Sequence, residues 1–98
     1  MDATAHVVFE GTGIVATVPI GTYLIDAARD AGLDVPQQCG GFAICSWCRM
    51  RVLHGAGSLT PPTYGEERLR SWEMLAGDER ASCQAVVIGN LTVSATYW

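Results

Sequence analysis

Gln37-Gln38-Cys39-Gly40-Gly41-Phe42-Ala43-Ile44-Cys45-Ser46-Trp47-Cys48-Arg49-Met50-Arg51 carries three of the chain's four cysteines, spaced Cys39-x5-Cys45-x2-Cys48. The fourth, Cys83, follows after 34 intervening residues. Two short intervals let a loop wrap around an inorganic core, and the glycines allow the backbone to approach it closely. A remote fourth thiolate then closes the coordination from another segment. A [2Fe-2S] cluster takes four thiolates, which is the number the chain offers.

Other uses of four cysteines make different demands. Two disulfides would suit an exported chain, but Met1–Thr12 shows no charged segment followed by an apolar one, so export is not expected. A structural zinc site also takes four thiolates, usually as two close pairs, whereas here a triplet faces one distant cysteine. Cys45-Ser46-Trp47-Cys48 on its own has the form of a redox dithiol, a reading that gives Cys39 and Cys83 no role.

The pattern Cys39-Gly40-Gly41-x3-Cys45-x2-Cys48-Arg49-x-Arg51-Val52 is followed by Thr60-Pro61-Pro62-Thr63-x2-Glu66 and then by Glu79-Arg80-Ala81-Ser82-Cys83-Gln84. Together they resemble [2Fe-2S] ferredoxins of the β-grasp fold over almost the whole chain. The five-residue first interval is similar to adrenodoxin-type ferredoxins and to the ferredoxin domains of sodium-translocating quinone reductases, since plant-type ferredoxins have four residues there. The resemblance implies an α+β fold with a mixed sheet of four to five strands, one main helix across it and a second short helix. It also implies a [2Fe-2S] cluster held by Cys39, Cys45, Cys48 and Cys83, with Cys39 and Cys45 on the outer iron and Cys48 and Cys83 on the inner one. Such a chain is a one-electron carrier between a reductase, such as a flavoprotein, and a redox acceptor, with no enzymatic activity of its own. The chain departs from its relatives at Ser46 and Trp47, which stand where many have glycine and a polar or basic residue, and at Arg49, where adrenodoxin-type carriers often have histidine. Phe42, Ile44 and Trp47 make this loop unusually apolar, and they either pack inward as a cluster shield or form a docking patch; Trp47, between two ligands where the loop must bulge outward, is taken as the docking contact.

Composition suits this reading. Ninety-eight residues make one domain, residues 1–98, too small to hold a substrate pocket beside a cofactor. Ten acids against six arginines and no lysine give a formal charge of −4, and an oxidised cluster with four thiolates adds about −2 more. That field repels nucleic acid and favours encounter with a basic patch on a redox protein. No apolar run approaches the length of a membrane span. A cytoplasmic monomer is expected.

Along the chain, Ala5–Glu10 and Ile14–Val18 read as strands joined by the turn Gly11-Thr12-Gly13. Thr22 reads as the N-cap of a helix ending at Ala31, with Gly32 as its stop and Ile20, Leu24, Ala27, Ala28 and Ala31 as its apolar stripe. His6 is given no chemistry. Val35-Pro36 is an extended entry to the cysteine loop, and Arg49–His54 a strand leading away from it. Thr63-x-x-Glu66 has the form of a capping box opening a helix to Leu75, with Glu66 also counted among its surface acids. Arg80–Ile88 is read as a strand carrying Cys83, and Leu91–Tyr97 as the last strand.

Overall fold

Among the described residues, five strands form one sheet and two helices pack against it, consistent with the α+β, β-grasp expectation. The computed structural model describes residues 3–35, 48–73, 75–95 and 98. Cys39 and Cys45, with Phe42, Ile44 and Trp47, lie outside the described residues. The strands are β1 (Thr4–Phe9), β2 (Ile14–Pro19), β3 (Arg49–His54), β4 (Glu79–Ala81) and β5 (Leu91–Ser94); the helices are α1 (Leu24–Asp30) and α2 (Tyr64–Ser71). The sheet order is β2-β1-β5-β3-β4. β1 and β5 run parallel, and the remaining neighbours are antiparallel.

The hairpin β1–β2 is set by alternation. Ala5, Val7 and Phe9 are fully buried, while Thr4 and His6 point to solvent, where the His6 Nδ1 lies 3.0 Å from Thr17 Oγ1. β5 contributes Leu91 and Val93 to the same face, β3 contributes Met50, and α1 covers them with Leu24, Ile25, Ala27 and Ala28. A one-residue slip of any of these strands would turn its apolar side chains to water, which fixes the register.

Helix α1 ends as the sequence indicates. Gly32 adopts a φ of +90°, and the Gly32 N–H donates to Arg29 O while the Leu33 N–H donates to Ala28 O, satisfying the last-turn carbonyls. Its start differs from expectation. Tyr23 is the N-cap and supplies no side-chain bond, and the Thr22 hydroxyl turns back to donate to Pro19 O at 2.7 Å. The helix's first N–H groups instead find partners outside it: Leu24 donates to Ala85 O at 2.9 Å and Ile25 to Ser82 O at 3.0 Å. Tertiary carbonyls therefore replace the hydroxyl cap. Ile20, placed on the apolar stripe by spacing, is 42% exposed, and Ile25 takes the buried place instead.

The capping box on α2 forms as expected: Thr63 Oγ1 accepts from the Glu66 N–H at 3.2 Å, and Glu66 Oε1 accepts from the Thr63 N–H at 3.3 Å. Three expectations here are corrected. The helix stops at Ser71, so Trp72, half exposed beside the Arg68 guanidinium, and Leu75 are not on a continuing helical stripe. Glu66 is no surface acid; it is fully buried against Arg80. The strand expected at Arg80–Ile88 stops at Ala81, because the chain must turn there: the Gln84 and Ala85 N–H groups both donate back to Ala81 O. Beyond the turn only isolated bridges remain among the described residues, Val86 to Tyr23 and Val87 to Leu59. β5 ends at Ser94, with Ala95 outside it; Thr96 and Tyr97 of the expected Leu91–Tyr97 strand lie outside the described residues.

Candidate metal centre

Cys48 immediately precedes β3, and Cys83 lies in the turn after β4. These strands are antiparallel neighbours with Arg49 opposite Ala81, so the ladder brings together two cysteines separated by 34 residues. The Ser82 hydroxyl donates to Cys48 O at 2.8 Å, and the Ser82 N–H reaches the same oxygen at 3.4 Å, tying the turn to the residue before β3. The carbonyls of Ser82 and Ala85 face the start of α1, as described above. Backbone bonds to two elements thus fix where Cys83 presents its thiol.

Both thiols are buried and neither is in a disulfide; Cys48 is fully enclosed and Cys83 is 8% exposed. The Cys48 thiol is shifted from its ordinary value of 9.0 to about 6. A hydrogen bond with the Cys83 side chain is the main cause, supported by the Cys83 N–H, the Ser82 hydroxyl and the Ser82 N–H; burial opposes them and is outweighed. The Gln84 side-chain amide adds a further donor, with Nε2 lying 3.9 Å from Cys83 Sγ. Donors directed at a buried thiolate are what a metal-ligating cysteine requires, since the ligand is the anion.

The buried pair Glu66–Arg80 supports this arrangement from behind. Arg80 Nε donates to Glu66 Oε2 at 2.6 Å and Arg80 Nη2 to Glu66 Oε1 at 2.9 Å; the second nitrogen also reaches Thr60 O at 2.8 Å. Glu66 Oε2 accepts in addition from the Ala81 N–H at 3.2 Å, two residues before Cys83. Sequence reading missed this pair. The signal was present: Glu66 lies three residues before Leu69, on the face of α2 that the leucine buries.

Among the described residues no three histidine, cysteine or acidic side chains come together. The structure brings Cys48 and Cys83 into contact, while Cys39 and Cys45, the other half of the expected set, lie outside the described residues. A soft, partly ionised thiol pair, enclosed and supplied with N–H donors, fits the donor chemistry of an iron–sulfur centre.

A mixed five-stranded sheet of this order, with a helix across it and buried thiols at the start of β3 and in the turn after β4, defines the class of small β-grasp iron–sulfur proteins. A family model described as a 2Fe-2S iron-sulfur cluster binding domain matches residues 7–87, and the chain belongs to that family. It binds a [2Fe-2S] cluster. A 2Fe-2S ferredoxin from Haemophilus influenzae is 34% identical over 77 residues, covering 76% of this chain and 67% of that protein. A subunit of the Na(+)-translocating NADH-quinone reductase from Methylococcus capsulatus is 40% identical over 76 residues, covering 78% of this chain. The chain matches only 18% of that subunit's length. Among solved structures, the ISC-like [2Fe-2S] ferredoxin from Pseudomonas putida JCM 20004 superimposes with a TM-score of 0.78 over 97% of this chain and 93% of its own, at 24% identity. That likeness bears on the fold alone.

Proposed function

We propose that Cys39, Cys45, Cys48 and Cys83 are the four cluster ligands and that the protein, as a single domain over residues 1–98, passes single electrons from a reductase to a redox acceptor in the cytoplasm. The observation that supports the assignment for Cys48 and Cys83 is the contact between their thiols beside the β3–β4 ladder, with the Cys83 side chain holding the Cys48 thiol below its ordinary value; Cys39 and Cys45 follow from the spacing of the sequence. When bound, the cluster supplies one reversible electron site. The chain's own residues supply the rest: buried thiolates hold it, apolar neighbours limit water, and N–H groups oppose the charge that reduction adds.

No helix among the described residues is long and apolar enough to cross a membrane, and the formal charge of −4 favours a partner that presents a basic surface. The two relatives differ in how they bear on partners. One is itself called a ferredoxin, and the other is a subunit of a reductase in which the matching part is a small fraction. The second supports a place next to a reductase in an electron path, and the first a role as carrier.

The assignment is tested with Cys83→Ser. Loss of a soft thiolate is expected to lower the iron and acid-labile sulfide retained on purification and to weaken the visible charge-transfer bands, with Asp78→Ala as an exposed control. Unchanged iron, sulfide and spectrum in Cys83→Ser would remove Cys83 from the ligand set. A colourless wild-type protein containing stoichiometric zinc would overturn the carrier assignment itself.

A further inference from the structure

The Gln84 side chain occupies a position that cluster ligation alone does not explain. Its Nε2 faces Cys83 Sγ at 3.9 Å, and its Oε1 accepts from the Thr63 hydroxyl at 3.0 Å. Thr63 is the N-cap of α2, 21 residues away in sequence, and the same hydroxyl oxygen accepts from the Glu66 N–H at 3.2 Å. We propose that Gln84 tunes the reduction potential by directing its amide N–H at the Cys83 sulfur, and that Thr63 is the positioning residue that holds the amide in that orientation. The proposal rests on Cys83 being a ligand.

An amide has two ends, and the charge on the sulfur decides which one faces it. The Thr63 hydroxyl donates to Gln84 Oε1 and accepts from the Glu66 N–H. The opposite amide orientation would set the carbonyl lone pairs against an anionic sulfur and deprive it of this donor. The cap itself is not free to drift. Its backbone N–H is bound to Glu66 Oε1, and Glu66 is held in turn by Arg80 and the Ala81 N–H. A chain of bonds therefore runs from the buried ion pair through the helix cap to the ligand sulfur.

The electrostatic consequence has a definite sign. One electron arrives from the reductase and later leaves to the acceptor, while Gln84 keeps both amide protons throughout. Reduction adds negative charge shared by the ligand sulfurs, so an N–H dipole aimed at one of them attracts the reduced form more than the oxidised form and raises the potential. Partial burial of Gln84 and burial of Cys83 strengthen the effect, because little water is present to screen it.

The test is the midpoint potential of the cluster-loaded protein, measured by spectroelectrochemistry for Gln84→Leu, Gln84→Glu, Thr63→Val and Thr63→Ser. Gln84→Leu is expected to retain its visible spectrum and titrate at a lower potential. Gln84→Glu should be lower still at neutral pH and rise as the new carboxylate protonates. Thr63→Val should move the potential in the same direction by less, and Thr63→Ser should restore it. Glutamine labelled with nitrogen-15 is expected to show coupling to the reduced cluster in pulsed electron paramagnetic resonance, a signal lost in Gln84→Leu. An unchanged potential in both Gln84 variants overturns the tuning role; a shift in Gln84→Leu with none in Thr63→Val overturns the role of Thr63 alone. Cys83→Ser with full iron content would instead show that the underlying ligand assignment has failed.

Discussion

Removing the Glu66 carboxylate is the perturbation whose cost the structure sets most directly. Glu66→Ala withdraws the acceptor from Arg80 Nε, Arg80 Nη2, the Ala81 N–H and the Thr63 N–H together. Thr60 O still accepts from Arg80 Nη2, so the guanidinium keeps one partner, but at 8% exposure it is left enclosed without a counter-charge. Breaking a buried pair in this way costs about 3–5 kcal/mol, against a total stability of roughly 5–15 kcal/mol for a domain. At ~4–8 °C per kcal/mol for a chain of this size, the thermal midpoint is expected to fall by about 12 °C or more. The assay is loss of visible absorbance on heating at a fixed scan rate, because cluster release makes unfolding irreversible. Two comparisons isolate the cause. Asp78→Ala breaks the Arg51–Asp78 pair, which is as short as 2.9 Å but half exposed, and should cost no more than about 1 kcal/mol. Glu66→Leu combined with Arg80→Met removes both charges and should recover most of the loss. A Glu66→Ala midpoint within about 2 °C of wild type would refute the argument that this pair fastens α2 to β4.

Three further outcomes are expected. In the metal-free protein, thiolate absorbance should show one group titrating near pH 6 that is absent in Cys48→Ala; because the folded value lies below the ordinary 9.0, stability should be greatest above pH 9 and be lost as pH falls towards 6, a trend that equilibrium unfolding across that range would check. Gly55→Ala places a methyl 2.5 Å from Asn90 O and 2.9 Å from Leu91 Cα at a φ of +84°, so it must displace β5 backbone; a loss of more than the ~1–2 kcal/mol due to left-handed conformation alone is expected in denaturant unfolding, and a smaller loss would show that the Asn90–Leu91 segment yields freely. Trp47→Ala should raise the dissociation constant for the redox partner while leaving cluster content intact, since a docking aromatic typically contributes about 2 kcal/mol; an unchanged constant removes Trp47 from the interface.

Sequence signals are legible where the chain's own neighbours decide the structure. The Gly32 stop, the Thr63-x-x-Glu66 cap and the hairpin around Gly11–Gly13 all depend on contacts within a few residues. The cysteine spacing is legible for a different reason, because cluster geometry constrains which intervals can work. What escapes reading depends on distant partners. Glu66 looks like a solvated acid because its counter-charge, Arg80, lies 14 residues away and approaches only when β4 is in place. Apolar residues from Ala85 to Ile88 suggest a continuous strand through Cys83, but the turn at Ala81 is demanded by the Cys48 carbonyl on one side and by the unsatisfied start of α1 on the other. Thr22 has the chemistry of a cap and loses the position to those same carbonyls. Each miss follows from tertiary bonds outcompeting a local preference.

The central place of β5 in the sheet has a consequence for how the protein is made. It is the last of the five strands to leave the ribosome, yet it pairs with β1 on one side and β3 on the other. Until it emerges, the amino-terminal hairpin and the segment bearing Cys48 and Cys83 are two sheet fragments with no shared edge. A nascent chain arrested before Leu91 would therefore expose two unsatisfied strand edges at once, β1 and β3. The keystone of the sheet is laid last.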